Sequence, residues 1–217
     1  QQVVDDEAKK WGELWQTRKE ASAPDFSNHI ANEPPLGRLT PAQIREAAKH
    51  FKAATGVGGD HIHPRWFGHL CNASLTRISF LFFCMEELGL VPSQLVNVLL
   101  LYAKPLGGFR PIGLLPSIIR LWEYCRKQVL WDWEKDNWRE SNWAAPGRSS
   151  FTVVAHQRLA AEGAPDEHET AVALMDLVKA YELVPHHRIL DGAIKFGFPM
   201  RVLRVVFAVF LLARRIC

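Results

Sequence analysis

Apolar residues recur at helical spacing through most of this chain, and in two places the spacing changes to that of strands. Val4, Ala8, Trp11 and Trp15 fall on one face and predict a helix over residues 1–20. Residues 21–39 hold three prolines among polar residues and read as a linker or loop. Thr40-Pro-Ala-Gln43 is a helix start. Thr40 can cap, Pro41 suits the first helical position and Gln43 completes a capping box. That helix is predicted to run to about Ala54, before Gly56, Gly58 and Gly59. A further helical stretch follows Asp60, and its strongly apolar part, Ile78 to Leu88, stops at Gly89 ahead of Pro92. Val98 to Ala103 and Phe109 to Gly113 read as two strands around Gly107-Gly108, a hairpin signal. Pro105 and Pro111 stand at the strand margins, where they are tolerated. A long helix is predicted from Pro116 to Trp138, with Ile119, Trp122, Val129 and Trp133 roughly in phase. After a loop from Ala144, Ser149 or Ser150 caps a helix to Glu162, and Gly163 to Glu169 is an acidic turn. Thr170 to Asp176 reads as a short apolar strand and Leu177 to Tyr181 as a helix-like turn. A helix from about His187 to Phe196 ends at Gly197, and Pro199 opens a last apolar helix to about Arg214. Helices around a few strands give an α+β class.

Composition narrows this picture only a little. Hydrophobic residues at 48% and charged residues at 23% suit a packed core and exclude a disordered chain. A net charge of +3 permits nucleic-acid binding without demanding it, because a local patch matters more than the total. The four cysteines, Cys71, Cys84, Cys125 and Cys217, are far apart and form no CxxC pair. That favours a reduced intracellular compartment, without deciding between nucleus and cytoplasm. The longest clean apolar run, Val205 to Ala213, is too short to span a bilayer, so no membrane is expected. The start without Met and the abrupt stop at Cys217 predict a piece of a longer reading frame.

Several residues could carry chemistry. Asp176 sits at the tip of an apolar strand, where a carboxylate needs a cation or donors to meet it. It either caps the next helix or binds a divalent metal. Lys104 and Arg110 flank the Gly107-Gly108 turn and could share one phosphate group, Arg as a planar fork and Lys as a point charge. The plain alternative is a solvated surface hairpin. Gly147-Arg-Ser-Ser150 fails as a phosphate-binding P-loop, since Asn142 stands where Gly is needed and Arg148 replaces Lys. Arg148 is then a backbone contact or a surface residue. His61, His63, His69 and Cys71 do not have the spacing of paired zinc ligands. Trp122, Trp131, Trp133, Trp138 and Trp143 interleave with Arg120, Arg126, Lys127 and Lys135, a mixture that can bind single strands by stacking. Trp122 and Trp133 fall on the apolar face, where core packing explains them.

Two segments together carry a resemblance. Leu101-Tyr-Ala-Lys-Pro-Leu-Gly-Gly-Phe-Arg-Pro-Ile112, continuing through Arg120, Leu121 and Glu123, is similar to the fingertip segment of reverse transcriptases of the group II intron and non-LTR retroelement branch. Ala173-Leu-Met-Asp-Leu-Val-Lys-Ala-Tyr-Glu-Leu-Val-Pro-His186 resembles the first palm motif of the same family. Weaker likenesses cover Gly56 to Pro64 and Trp143 to Ser150. The resemblance implies helix-rich fingers with a β-hairpin over 40–165, after an N-terminal helix and linker over 1–39, and an incomplete palm over 166–217. It implies an RNA-directed DNA polymerase working on an RNA template, a DNA primer and deoxynucleoside triphosphates, with two Mg²⁺ ions. It assigns the triphosphate to Lys104 and Arg110, and metal to Asp176 and the Leu177 carbonyl. Ala180 would offer its backbone N–H near the sugar, Tyr181 would exclude a 2′-hydroxyl and Arg148 would meet nucleic-acid backbone. The family also uses a paired Asp-Asp after an aromatic, whereas Asp191 is the only aspartate here after Asp176. The expectation is therefore fingers plus the opening of a palm, inactive alone. The alternatives are a catalytically dead nucleic-acid-binding module or relic of a retroelement and, more distantly, a helical interaction protein lacking a hairpin at 98–113.

Overall fold

The computed structural model describes residues 2–16, 24–139, 149–163 and 184–217. Its elements in chain order begin with α1 (Gln2–Gln16), α2 (Ser27–Ile30), α3 (Pro41–Lys49), a 3₁₀ segment (Pro64–His69) and α4 (Asn72–Leu88). The hairpin strands β1 (Val96–Ala103) and β2 (Phe109–Leu114) follow, then α5 (Ser117–Asp136), α6 (Ser150–Glu162), α7 (His186–Lys195), α8 (Met200–Phe210) and β3 (Ala213–Ile216). This is an α+β arrangement with one three-stranded sheet in the order β2-β1-β3. Among the described residues no helix is long and apolar enough to cross a membrane.

The chain divides into two compact units, residues 1–133 with 185–217, and residues 134–184. The first has a core built on helix faces. Ile44 and Ala48 of α3, Leu75 and Phe82 of α4, Ile119, Leu121 and Trp122 of α5, and Val205 of α8 are almost wholly buried. Removing each large side chain of that set from water contributes about 1.5–3 kcal/mol. A smaller cluster joins Phe26 and Ile30 to Ala193, Met200, Leu203 and Phe207. In the second unit, the described part is mainly α6, whose Ser149 hydroxyl accepts from the Thr152 N–H at 3.3 Å as its cap.

The capping box at Thr40 forms as its sequence predicts. The Thr40 hydroxyl takes the Gln43 N–H at 3.2 Å, and the Gln43 side chain takes the Thr40 N–H at 2.8 Å. Four expectations change. First, α3 ends at Lys49 rather than near Ala54. His50 and Phe51 instead turn out to pack on Tyr124 at 5.1 and 5.6 Å between ring centroids. Second, the described part of the region 21–39, residues 24–39, is more than a linker or loop, because Phe26 and Ile30 anchor it in the smaller cluster, with Phe26 5.6 Å from Phe207. Third, His186 and His187 stand beside Pro185 at a helix start, which predicts surface or capping roles, but the His186 ring meets Phe207 edge-on at 5.1 Å. Fourth, the last helix stops at Phe210 and the next residues form β3. β3 runs parallel to β1 and pairs Val96 with Ala213 and Val98 with Arg215. The backbone of β1 needs partners on both edges, and filling the second edge outweighs one more helical turn.

Two helix starts take their caps from remote carboxylates. Glu33 accepts the Met200 and Arg201 N–H groups at 2.9 Å each, at the head of α8. Asp60 accepts the Ser117 N–H at 2.7 Å, at the head of α5. Each anion meets unpaired donors and the positive end of a helix dipole.

The cysteines are free thiols with unequal chemistry. A hydrogen bond with Ser74 draws the exposed Cys71 thiol below its ordinary pKa. Burial pushes Cys125 from 9.0 up to about 12. Alkylation at neutral pH, mapped by peptide mass, should mark Cys71 readily and Cys125 only after unfolding. Because the folded pKa of Cys125 is raised, its stabilising effect is full below the unfolded value and fades as pH climbs from about 9 to about 12. Equal labelling of both thiols in the native chain would contradict this assignment.

Candidate functional site: the basic hairpin and its groove

The hairpin is where local sequence and chemistry meet. β1 and β2 pair antiparallel, with Leu100 opposite Ile112, Tyr102 opposite Arg110 and Ala103 opposite Phe109. Lys104 to Gly108 form the tip. The Gly107 N–H donates to the Lys104 carbonyl at 3.0 Å, and the Lys104 N–H donates to the Gly108 carbonyl at 2.9 Å. Gly107 and Gly108 have φ of +91° and +77°, which side chains resist, so the double glycine is required for this turn. The hairpin forms where its sequence predicts, and it counts against the reading that lacked one.

Lys104 and Arg110 are both exposed at this tip. Neither makes an ion pair among the described residues. A hydrogen bond from Lys10 holds the Glu7 carboxyl of α1 below its ordinary range; Trp11 adds to the effect and Lys104 contributes last. Tyr102 is 56% exposed beside Arg110, and Leu106 at the turn is fully exposed. A tip with two cations and, among the described residues, no carboxylate bonded to them fits an anionic ligand.

Alternation along the strands puts Val98, Leu100, Tyr102, Arg110, Ile112 and Leu114 on one face of the sheet. Part of that face lines an open groove of about 570 Å³. Val96, Val98, Leu100 and Leu114 form its floor, Arg215 enters from β3, and Gly58, Gly59 and His61 border it. The Gly56–Pro64 block is therefore packed on the base of the hairpin. A Cβ on Gly58 would lie 2.5 Å from the Leu115 carbonyl oxygen, so only glycine allows this approach. Arg120 closes the same seam by donating to the Gly56 carbonyl at 2.6 Å.

Of the residues singled out from the sequence, Lys104 and Arg110 are brought to one turn. Asp176, Leu177, Ala180, Tyr181 and Arg148 lie outside the described residues. His63 serves its own backbone, its Nδ1 accepting the Arg65 N–H at 3.2 Å. Among the described residues no group of three or more His, Cys, Asp or Glu could hold a metal ion. Trp122 is buried and its indole N–H reaches Glu86 at 2.8 Å, and Trp133 donates to the Phe196 carbonyl at 2.7 Å, so both are packing residues. Sequence reasoning missed Arg215 as a groove residue because it placed the position at a helix end. The available signal was the polar pair Arg214-Arg215 closing a long apolar run. No protein-family model matches the chain, and no curated protein matches it.

Proposed function

We propose that this chain is part of an RNA-directed DNA polymerase and that its hairpin binds the triphosphate of an incoming deoxynucleotide. The observation that carries the reading is the glycine-turned hairpin with Lys104 and Arg110 exposed and, among the described residues, in no ion pair. The resemblance at 101–123 and 173–186 supplies the remaining roles. Arg110 forks onto phosphate oxygens and Lys104 adds a point charge. Asp176, with the Leu177 carbonyl, holds metal; Ala180 and Tyr181 border the sugar; Arg148 meets template or primer backbone. When bound, Mg²⁺ would ease both the attack of a primer 3′-hydroxyl on the α-phosphate and the departure of pyrophosphate. The protein residues position reactants and neutralise charge, and they form no covalent intermediate.

The chain itself should give no templated synthesis. Nucleotidyl transfer of this kind needs further carboxylates beside Asp176, and Asp191 is an exposed residue of α7 whose carboxylate lies 3.9 Å from Arg188. The positive test is equilibrium binding of Mg²⁺-loaded deoxynucleoside triphosphate to the 217-residue chain. Asp176→Asn should remove the Mg²⁺ dependence. Tyr181→Ala should erase the preference for a deoxyribose sugar while Tyr181→Phe keeps it, since ring bulk excludes the hydroxyl. No detectable triphosphate binding at low ionic strength would sink the polymerase reading. Binding of RNA without triphosphate would favour the alternative, a nucleic-acid-binding module without polymerase chemistry.

A further inference from the structure

α5 carries a second array of aromatic and cationic side chains that the polymerase reading does not use. Arg120, Tyr124, Lys127 and Trp131 recur at helical spacing and share one face. The Lys127 ammonium lies 4.3 Å from the Trp131 ring centroid and 5.2 Å from that of Tyr124. His50 stacks on Tyr124 at 5.1 Å with 20° between planes. The Arg120 guanidinium lies over Phe51 at 5.6 Å. Trp131 nevertheless remains 48% exposed, whereas Trp122 on the same helix is 1% exposed. Core packing accounts for Trp122 and leaves Trp131 unexplained. Lys127 sits over the indole, and about half of the side chain is open to solvent. Glu123 is the single carboxylate between Ser117 and Trp131, against Arg120, Arg126 and Lys127. Arg126 is paired with Glu86, so Arg120 and Lys127 stand against Glu123 and leave this stretch with a net charge of +1.

We propose that this face of α5 binds an unpaired stretch of RNA. One base stacks on Trp131, a second on the Tyr124–His50 platform, and Lys127 between them meets the phosphate. The two platforms are about 10 Å apart along the helix, from seven residues at the α-helical rise. Every base has a π-face, so such a site tolerates sequence, and charge complementarity with Lys127 and Arg120 selects a polyanion over a neutral strand. The stacking and the phosphate contact follow from the geometry alone. The choice of RNA over DNA rests on the polymerase reading, in which the template is RNA.

The test is fluorescence anisotropy with a labelled uridine decamer, across a salt series, on the 217-residue chain. Trp131→Ala should weaken binding about tenfold, and Trp131→Phe should keep most of it. Lys127→Gln should lower the salt slope by about 0.7, the value for one phosphate contact on a single strand. Duplex RNA should be insensitive to Trp131→Ala. The melting temperature of Trp131→Ala should stay near wild type, because Trp131 is about half open to solvent. Wild-type affinity in both Trp131→Ala and Lys127→Gln would overturn the proposal, as would tighter capture of a deoxyuridine decamer or of an acidic peptide. The hairpin reports separately. If no triphosphate binds yet Trp131→Ala weakens RNA binding, the polymerase reading falls and this site stands. Triphosphate binding through Arg110 with RNA binding indifferent to Trp131 removes this site alone.

Discussion

Glu86→Ala should destabilise the larger unit by about 3–5 kcal/mol, the usual result of removing one partner of a buried ion pair. Glu86 is 1% exposed and Arg126 6% exposed. Their contact is two-pronged, Arg126 Nε to Oε1 at 2.6 Å and Nη2 to Oε2 at 2.7 Å. The same carboxylate takes the Trp122 indole N–H, and Arg126 also donates to the Gly37 carbonyl at 2.9 Å. Arg204 donates to the Glu86 carbonyl. Truncating Glu86 thus leaves a guanidinium and an indole N–H in the core with lost partners. Typical domain stability is about 5–15 kcal/mol, so the loss would be a large share of it. Removing both charges at once, as Glu86→Leu with Arg126→Met, should cost less than the single change, because no charge is stranded. Urea midpoints of the two variants and the wild type decide the matter. A single-variant loss below about 1 kcal/mol, within the range of surface ion pairs, would mean that water reaches the pair.

The network also marks a limit of sequence reading. The helix faces were legible because apolar spacing records burial directly, and Ile119 and Trp122 were placed on the inner face correctly. The capping box at Thr40 and the Gly107-Gly108 turn were legible because each is a local rule that a few residues satisfy among themselves. Glu86 with Arg126 was not, since forty positions separate residues that only tertiary packing joins. The remote caps Glu33 and Asp60 were missed for the same reason. β3 was missed because Ala213-Arg-Arg-Ile216 is short and carries no clear strand alternation of its own, and the open edge of β1 decides the outcome. At the hairpin, the turn and its two cations were legible, whereas the shared groove face depended on the register and on Arg215 arriving from β3. The part of the site assigned to Asp176 and Tyr181 lies outside the described residues.

Arg110→Ala should weaken triphosphate binding by roughly tenfold to a hundredfold, from the 1.5–3 kcal/mol that a hydrogen bond to a charged group contributes. Arg110 is exposed and makes no ion pair among the described residues, so nothing in the fold depends on its guanidinium. Stability should therefore shift by no more than about 0.5 kcal/mol, as for other surface changes. That separation of binding from stability is what distinguishes a ligand contact from a packing role. Arg110→Lys restores the charge without the planar fork and should fall between wild type and alanine. Lys104→Ala should lose less than Arg110→Ala, because a mobile ammonium offers a point charge rather than paired donors. The turn supplies an independent check. Gly107 has φ of +91°, so Gly107→Val should distort the tip and reduce triphosphate binding although a Cβ at that position would meet no neighbouring atom. If the chain binds triphosphate and all four variants bind it as the wild type does, the ligand site lies elsewhere and the hairpin is a solvated surface turn. If affinity follows the order wild type, Arg110→Lys, Arg110→Ala at constant melting temperature, the fork of Arg110 is what the phosphate recognises, and the glycines are what hold it in place.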